Sequence, residues 1–175
     1  LEIFGDVQGK GIAYRTDWAF GRGVSFLSDR KCTTDVLLWI GCSGAFHPRY
    51  REISRAMVHI LHAGDVDFAI LGKLEFCCGD PARRLGEERL FQELARKNIA
   101  RLNQQQIRKI VTLCPHCFNT LKNEYPDFGG EYQVMHATEF VLDLIRAKRI
   151  TPRYPINQTL SVHHPCYFGR VYQIF

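Results

Sequence analysis

The 175-residue sequence is 46% hydrophobic and 23% charged, a composition that excludes intrinsic disorder as the main state and indicates a globular domain with a sizeable core. Its net charge of +5 comes from Arg and Lys that alternate with Glu and Asp, which favours solvated helix faces over a nucleic-acid surface. No run approaches the roughly 20 apolar residues of a membrane helix, so membrane association would have to come from other segments or subunits. Seven cysteines, mostly at motif positions, favour a reducing cytoplasm and metal chemistry over a disulfide framework.

The chain begins with an irregular segment and continues with strands that alternate with helices. Residues 1–34 contain five glycines and little periodicity, so they are interpreted as a lead-in or interdomain linker. Short apolar runs then predict strands at residues 36–40, 68–71, 109–113, 132–135 and 159–162. Helical patterns between them end at Gly64, run through residues 90–102, and cover 117–124 and 138–147, with Pro115 delaying the third helix. This alternation predicts an α/β fold, with a Rossmann-like parallel sheet and helices on both faces.

Five cysteines follow these strands at a spacing typical of a ligand set. Cys42 follows the first strand, and the adjacent pair Cys77 and Cys78 follows the second. Cys114 and Cys117 follow the third strand in a Cys-x-x-Cys motif. Neighbouring cysteines rarely form a disulfide with each other, and the carboxyl ends of parallel strands meet at one edge of a sheet. We therefore expect all five thiols to converge there on an iron–sulfur cluster.

The same cysteines also allow two other kinds of site. Four of the five thiolates could bind zinc tetrahedrally, which would give a structural zinc-binding α/β domain without redox activity. A thiol–disulfide exchange module built on Cys114 and Cys117 would leave the other three motif cysteines without a role. Cys32 lies ahead of the first strand and outside the spacing, so it is interpreted as an unligated thiol.

Charged and imidazole side chains near the cysteines are further candidates. Arg83 and Arg84, after the cysteine pair, would either bring positive charge to a cluster or an anionic substrate, or lie solvated on a helix. His116, between two motif cysteines, would either tune the site or have a structural role. His136 follows a predicted strand and would approach the same edge. The remaining upstream histidines are interpreted as surface or helix-packing residues: His47, His59 and His62.

The motif and its surroundings resemble the cysteine-rich CCG domain of heterodisulfide reductases, glycolate oxidase iron–sulfur subunits and related membrane-associated oxidoreductases. The D-type polypeptide of heterodisulfide reductase is similar at residues 15–18, 39–42, 79–84 and 114–120. The resemblance implies an electron-transfer region of an iron–sulfur oxidoreductase and assigns no catalytic residue. It implies that a noncubane [4Fe-4S] cluster is bound by the five motif cysteines, Cys42, Cys77, Cys78, Cys114 and Cys117.

The same resemblance implies boundaries and partners. A lead-in at 1–34 would precede a first CCG domain at 35–158, and residues 159–175 would open a second, truncated motif with His163, His164 and Cys166. Because the second motif is truncated, we expect this chain to be a piece of a longer protein, and we expect one cluster in this piece. The partner would be a redox protein or a membrane-bound subunit, with quinone, a flavoprotein or a disulfide as substrate and no nucleic acid. We expect the protein to lie in the cytoplasm, and other segments or subunits would hold it at the inner face of the membrane.

Overall fold

A computed structural model of the chain describes residues 5–29 and 34–173. Its strands are β1 (Val36–Trp39), β2 (Phe68–Ala69), β3 (Lys109–Thr112) and β4 (Gln133–His136). Its α-helices are α1 (Gly41–Phe46), α2 (Pro48–Ala63), α3 (Asp80–Arg84), α4 (Glu88–Gln104), α5 (Pro115–Asn119) and α6 (Ala137–Arg146). Within the described residues the strands form one parallel sheet in the order β2-β1-β3-β4. The predicted Rossmann-like α/β fold is confirmed.

Alternate strand residues fill two cores, one on each face of the sheet. Leu38 and Val111 point into the core that α1, α2 and α6 cover, whereas Leu37 and Ile110 point into the core that α4 and α5 cover. All four side chains are fully buried, and burial of each contributes roughly 1.5–3 kcal/mol to folding. Every residue of β1 is buried, which explains why its sequence is a continuous apolar run and not an alternating one.

Residues 5–29 pack against the sheet. Trp18 is fully buried in the first core, and Leu27 is buried in the second. Phe26 makes a parallel bridge with Ile70, directly after β2, and so extends that edge of the sheet. Cys32, interpreted above as unligated, lies outside the described residues.

Two local expectations are wrong. No strand forms at residues 159–162, where Leu160 and Val162 are exposed and the backbone is irregular. Their alternation with polar residues offers little apolar area, and a lone strand gains nothing without a partner edge. The helix after β3 begins at Pro115 itself, because the first helical position needs no N–H donor and suits the fixed φ of proline. None of the described helices combines the length and the apolar character that crossing a membrane requires.

Candidate functional site

The cysteine segments lie at the carboxyl edge of the sheet, one after each of three neighbouring strands. Cys42 lies in the first turn of α1, directly after β1. Cys77 and Cys78 lie in the loop between β2 and α3, and Cys114 and Cys117 lie at the start of α5, after β3. The order β2-β1-β3 brings the three segments side by side, as expected for loops at one end of a parallel sheet.

The five thiols form a continuous row of contacts. The Sγ atoms of Cys78 and Cys117 are 3.5 Å apart. Cys117 also contacts Cys114, while Cys77 contacts both Cys78 and Cys42. The row therefore runs from Cys42 through the adjacent pair to the Cys-x-x-Cys motif, and all five thiols are free. Within residues 5–29 and 34–173, no three Cys, His, Asp or Glu side chains surround one point as the ligands of a single metal ion would.

A cavity of about 370 Å³ opens onto all five sulfur-bearing side chains. Four of the cysteines are buried, and Cys114 is half-buried at the mouth. The rest of the lining combines apolar and polar side chains: Val7, Ser43, Asp80, Pro81, Arg84, Leu85 and His116. The row of thiols thus forms the inner wall of a pocket that is open to solvent on its other side.

Two glycines lie in the turns that carry the cysteines. Gly41 has a φ of +70°, and a Cβ there would lie 3.2 Å from the Sγ of Cys117. Gly79 has a φ of +95°, and a Cβ there would lie 2.7 Å from the ring of Phe91. Only glycine adopts such backbone angles without a steric penalty. Two of the three turns that carry the cysteines therefore depend on a missing side chain.

Backbone N–H groups at the starts of two helices also point at the sulfur atoms. They donate from Gly79 to Cys77, from Asp80 to Cys78 and from His116 to Cys114. Such donors stabilise negative charge on sulfur. The arrangement suits thiolates better than neutral thiols.

Contacts along the row lower the pKa of two thiols, while the pKa of the other three is raised. Hydrogen bonds from Cys117 lower the pKa of Cys78 and that of Cys114 to about 6. The same bonds, together with burial, raise the pKa of Cys117, and the bond to Cys77 and then burial raise the pKa of Cys42. For Cys77 the bond from Cys42 lowers the pKa, but contact with Cys78 and burial outweigh it. The lowered pKa values favour the thiolate form of Cys78 and Cys114, and the thiolate is the form that binds metal.

A buried carboxylate, Asp80, organises the polar side of the cavity. Its Oδ2 lies 2.8 Å from Nδ1 of His116, and its Oδ1 accepts a hydrogen bond of 3.1 Å from the Tyr167 hydroxyl. The Nε of Arg84 lies 3.5 Å from the same Oδ1. His116, although 58% exposed, is therefore held in orientation by a group behind it.

The two arginines after the cysteine pair are bound to carboxylates. Both contact Glu124: Nη1 of Arg83 lies 3.3 Å from Oε2, and Arg84 donates to Oε1. The guanidinium of Arg83 also lies over the Phe91 ring, 4.5 Å from its centroid. Arg84 lines the cavity, whereas Arg83 does not. Much of their charge is balanced locally, so their effect on the site stays a prediction.

The other histidines lie away from the cysteine cavity. His136 ends β4 at the same edge of the sheet, but it caps α6 and packs against the rings of Phe118 and Phe168 without lining the cavity. His47, His59 and His62 are exposed at the start and along the outer side of α2. The expected opening of a second motif, His163, His164 and Cys166, is exposed and follows no strand.

The structure adds a buried ion pair behind Cys42 that sequence reasoning did not find. Arg15 and Glu75 are 2% and 1% exposed, and they hydrogen-bond each other. Nη1 of Arg15 also lies 3.8 Å from the Sγ of Cys42. The two residues are 60 positions apart, and nothing in their local sequence marks either charge as buried.

The profile of the CCG cysteine-rich domain matches residues 36–122, a stretch that contains all five cysteines of the row. This region belongs to the cysteine-rich CCG domain family. The resemblance that the motif carried is confirmed. No solved structure matches the chain significantly.

Relatives of this CCG region are iron–sulfur and quinone oxidoreductases by name. EtfAB:quinone oxidoreductase of Syntrophomonas wolfei is 39% identical over 93% of this chain and 23% of its own length. The probable iron-sulfur-binding oxidoreductase FadF of Bacillus subtilis is 42% identical, over 81% of this chain and 20% of its own. The D-type polypeptide of the dihydromethanophenazine:CoB--CoM heterodisulfide reductase of Methanosarcina barkeri is 32% identical, over 81% and 36%. The chain thus spans about a fifth to a third of these relatives.

Proposed function

We propose that this chain binds a noncubane [4Fe-4S] cluster and serves as the electron-transfer region of an iron–sulfur oxidoreductase. The observation that carries the proposal is the continuous row of five thiols on the wall of one cavity. A zinc ion or a cubane cluster needs at most four thiolates, so a fifth ligand fits a cluster that offers more positions. The proposed ligands are Cys42, Cys77, Cys78, Cys114 and Cys117.

The residues present fit such a group in three respects. Thiolates are the preferred ligands of iron–sulfur clusters, and all five sulfurs are free. Backbone N–H groups donate to four of these sulfurs, those of Cys42, Cys77, Cys78 and Cys114, which offsets negative charge there. Gly41 has no Cβ, which leaves the space beside the Sγ of Cys117 free.

When bound, the cluster would supply one-electron redox chemistry, taking up one electron from a donor and releasing one to an acceptor without exchange of atoms. The protein's part is to bind the cluster and to limit contact with water through the four buried cysteines. Half-buried Cys114 and exposed His116 mark the side at which an electron would enter or leave.

For the partner, we propose a redox protein or membrane-bound subunit of a larger complex. The relatives' names support this, since one is a quinone oxidoreductase and another is part of a heterodisulfide reductase. Quinone, a flavoprotein or a disulfide are the proposed substrates of the whole protein. Quinones dissolve in membranes, so we propose a cytoplasmic site that other segments or subunits hold at the membrane's inner face.

We also propose that the functional unit is larger than the family match. Residues 35–158 would form the first CCG domain, with 1–34 as its lead-in, and 159–175 would open a second motif. The segment from 167 to 172 packs back on the first site, where Tyr167 donates to Asp80. That contact supports a close association between the two motifs.

Anaerobic purification followed by iron, labile sulfide and zinc assays tests the proposal. We expect about four irons and about four sulfides per chain, with Mössbauer and EPR spectra that differ from those of a cubane. Stoichiometric zinc without iron would reject the redox function in favour of a structural zinc site. A cubane spectrum would reject the noncubane cluster alone.

A further inference from the structure

A positive charge lies buried directly behind the first ligand cysteine. The guanidinium of Arg15 reaches the Sγ of Cys42 through Nη1 at 3.8 Å and lies over the Phe46 ring, 5.7 Å from its centroid. Its Nε is equally buried and has no hydrogen-bond partner among the described residues. A buried cation is costly unless it is paired, so this placement requires compensation nearby.

Glu75 supplies that compensation and at the same time holds the turn that carries the cysteine. Its Oε1 accepts from Arg15 and from the backbone N–H of Gly41 at 2.8 Å, and its Oε2 accepts from the N–H of Ile40 at 3.1 Å. The carboxylate therefore ties the end of β1 to the start of α1. Arg15 is fixed by the same carboxylate in the orientation that faces Cys42.

Other atoms of the lead-in reach the same ligands. The carbonyl of Gly5 accepts a hydrogen bond of 2.9 Å from the N–H of Cys77, and the N–H of Val7 donates to the Cys42 sulfur. All of these lead-in residues precede residue 36, where the match to the CCG family begins. The lead-in thus contacts the sulfur of Cys42 and the backbone of Cys77, two of the proposed ligands, from outside the family region.

We propose that Arg15 is a positioning residue for the iron–sulfur cluster, donating a hydrogen bond to the Cys42 sulfur and raising the reduction potential of the cluster through its charge. The inference rests on the proposed function. Reduction adds negative charge to the cluster and its thiolates, so a fixed cation beside one thiolate stabilises the reduced form more than the oxidised form. Hydrogen bonds to the ligating sulfurs act in the same direction.

A purely structural role is the alternative, in which Arg15 only anchors the lead-in. The two roles differ in their effect on potential. Loss of an anchor would lower stability and iron content without changing the potential of the clusters that remain. Loss of a charge and of a donor beside sulfur would shift the potential at full iron content.

The test compares three variants of the full-length, reconstituted protein by EPR-monitored redox titration, iron content and thermal unfolding. Arg15→Gln removes the charge, and Arg15→Lys keeps the charge but loses the planar guanidinium that binds Glu75 and Cys42 together. Arg55→Gln is the matched control, because Arg55 donates to the carbonyl of Trp18 at 3.0 Å and so holds the lead-in without lining the cysteine cavity.

We expect a more negative potential in Arg15→Gln, a smaller shift of the same sign in Arg15→Lys, and no shift in Arg55→Gln. If Arg15→Gln does not fold, Arg15→Lys carries the test. An unchanged potential in the Arg15 variants at full iron content overturns this inference alone. A wild-type protein that binds no iron overturns the proposed function and this inference with it.

Discussion

The sulfur atoms of Cys78 and Cys117 lie 3.5 Å apart, although 39 positions separate the two residues. The bond that Cys117 donates is the main reason why the pKa of Cys78 falls to about 6. A thiolate in contact with a thiol is the arrangement from which a disulfide forms most readily once an oxidant removes two electrons and the thiol loses its proton. Without a metal, this pair is therefore especially prone to oxidation to a disulfide.

We expect mild oxidation of the metal-free protein to link Cys78 to Cys117 and thereby to block cluster reconstitution. Peptide mapping by mass spectrometry without reduction identifies the bridge, and iron uptake before and after treatment with a reductant measures the block. Cys166, exposed and outside the row, provides an internal comparison. A random mixture of bridges that includes Cys166 would contradict the expectation.

Replacement of one member of the adjacent pair tests the ligand assignment. We expect Cys78→Ser to reduce iron retention by at least about tenfold or to convert the cluster to another type, because a hydroxyl is a poor substitute for a soft thiolate. Iron analysis and EPR spectra measure both effects. Cys166→Ser is the control, and equal losses in the two variants would contradict the assignment.

The glycine before Cys42 allows a test that separates backbone strain from contact with sulfur. Gly41→Ala places a Cβ 3.2 Å from the Sγ of Cys117 at a φ of +70°, whereas Gly21→Ala meets no atom within 4 Å at a nearly equal φ of +68°. We expect both variants to lose about 1–2 kcal/mol of unfolding free energy from the backbone angle. Only Gly41→Ala should also lose iron.

Urea unfolding of both metal-free variants gives the energies, and iron assays after reconstitution give the occupancy. A Cβ at Gly21 contacts no atom within 4 Å, so its variant reports strain alone. Iron loss of the same size in Gly21→Ala would show that the close approach of Gly41 to Cys117 has no special role.

The gathering of the cysteine segments was predictable because it needs only two facts. Val36–Trp39 is a continuous apolar run, and Ile110 and Val111 give Lys109–Thr112 an apolar centre; both imply parallel strands, and parallel strands end at one edge. The pair of Arg15 and Glu75 was not predictable, since Arg15 lies in a glycine-rich lead-in and Glu75 in the loop after β2, and neither segment has a periodicity that signals burial. The same limit applies at Leu160 and Val162, where alternation indicates a strand only if another strand edge is free to receive it.

The folding stability of the protein is expected to depend on pH through His136. Its Nε2–H donates to the carbonyl of Leu113 at 3.2 Å, and its Nδ1 accepts the N–H of Thr138 at 3.3 Å, which caps α6. A proton on Nδ1 would abolish that cap, and burial lowers the pKa of His136 below its usual 6.5. The unfolded chain therefore binds this proton more readily than the folded one, and the stability due to His136 is lost as the pH falls from 6.5 through the lower folded pKa.

We expect the free energy of unfolding of the metal-free protein to fall between pH 7.5 and 5 by more in the wild type than in His136→Asn, which keeps a cap acceptor but cannot take up a proton. The difference between the two proteins isolates the histidine, because every other titrating group, including the cysteines, is common to both. His59→Asn, on the exposed side of α2, should follow the wild type. Parallel pH curves for the wild type and His136→Asn would show that the imidazole is not held neutral by its place at the start of α6.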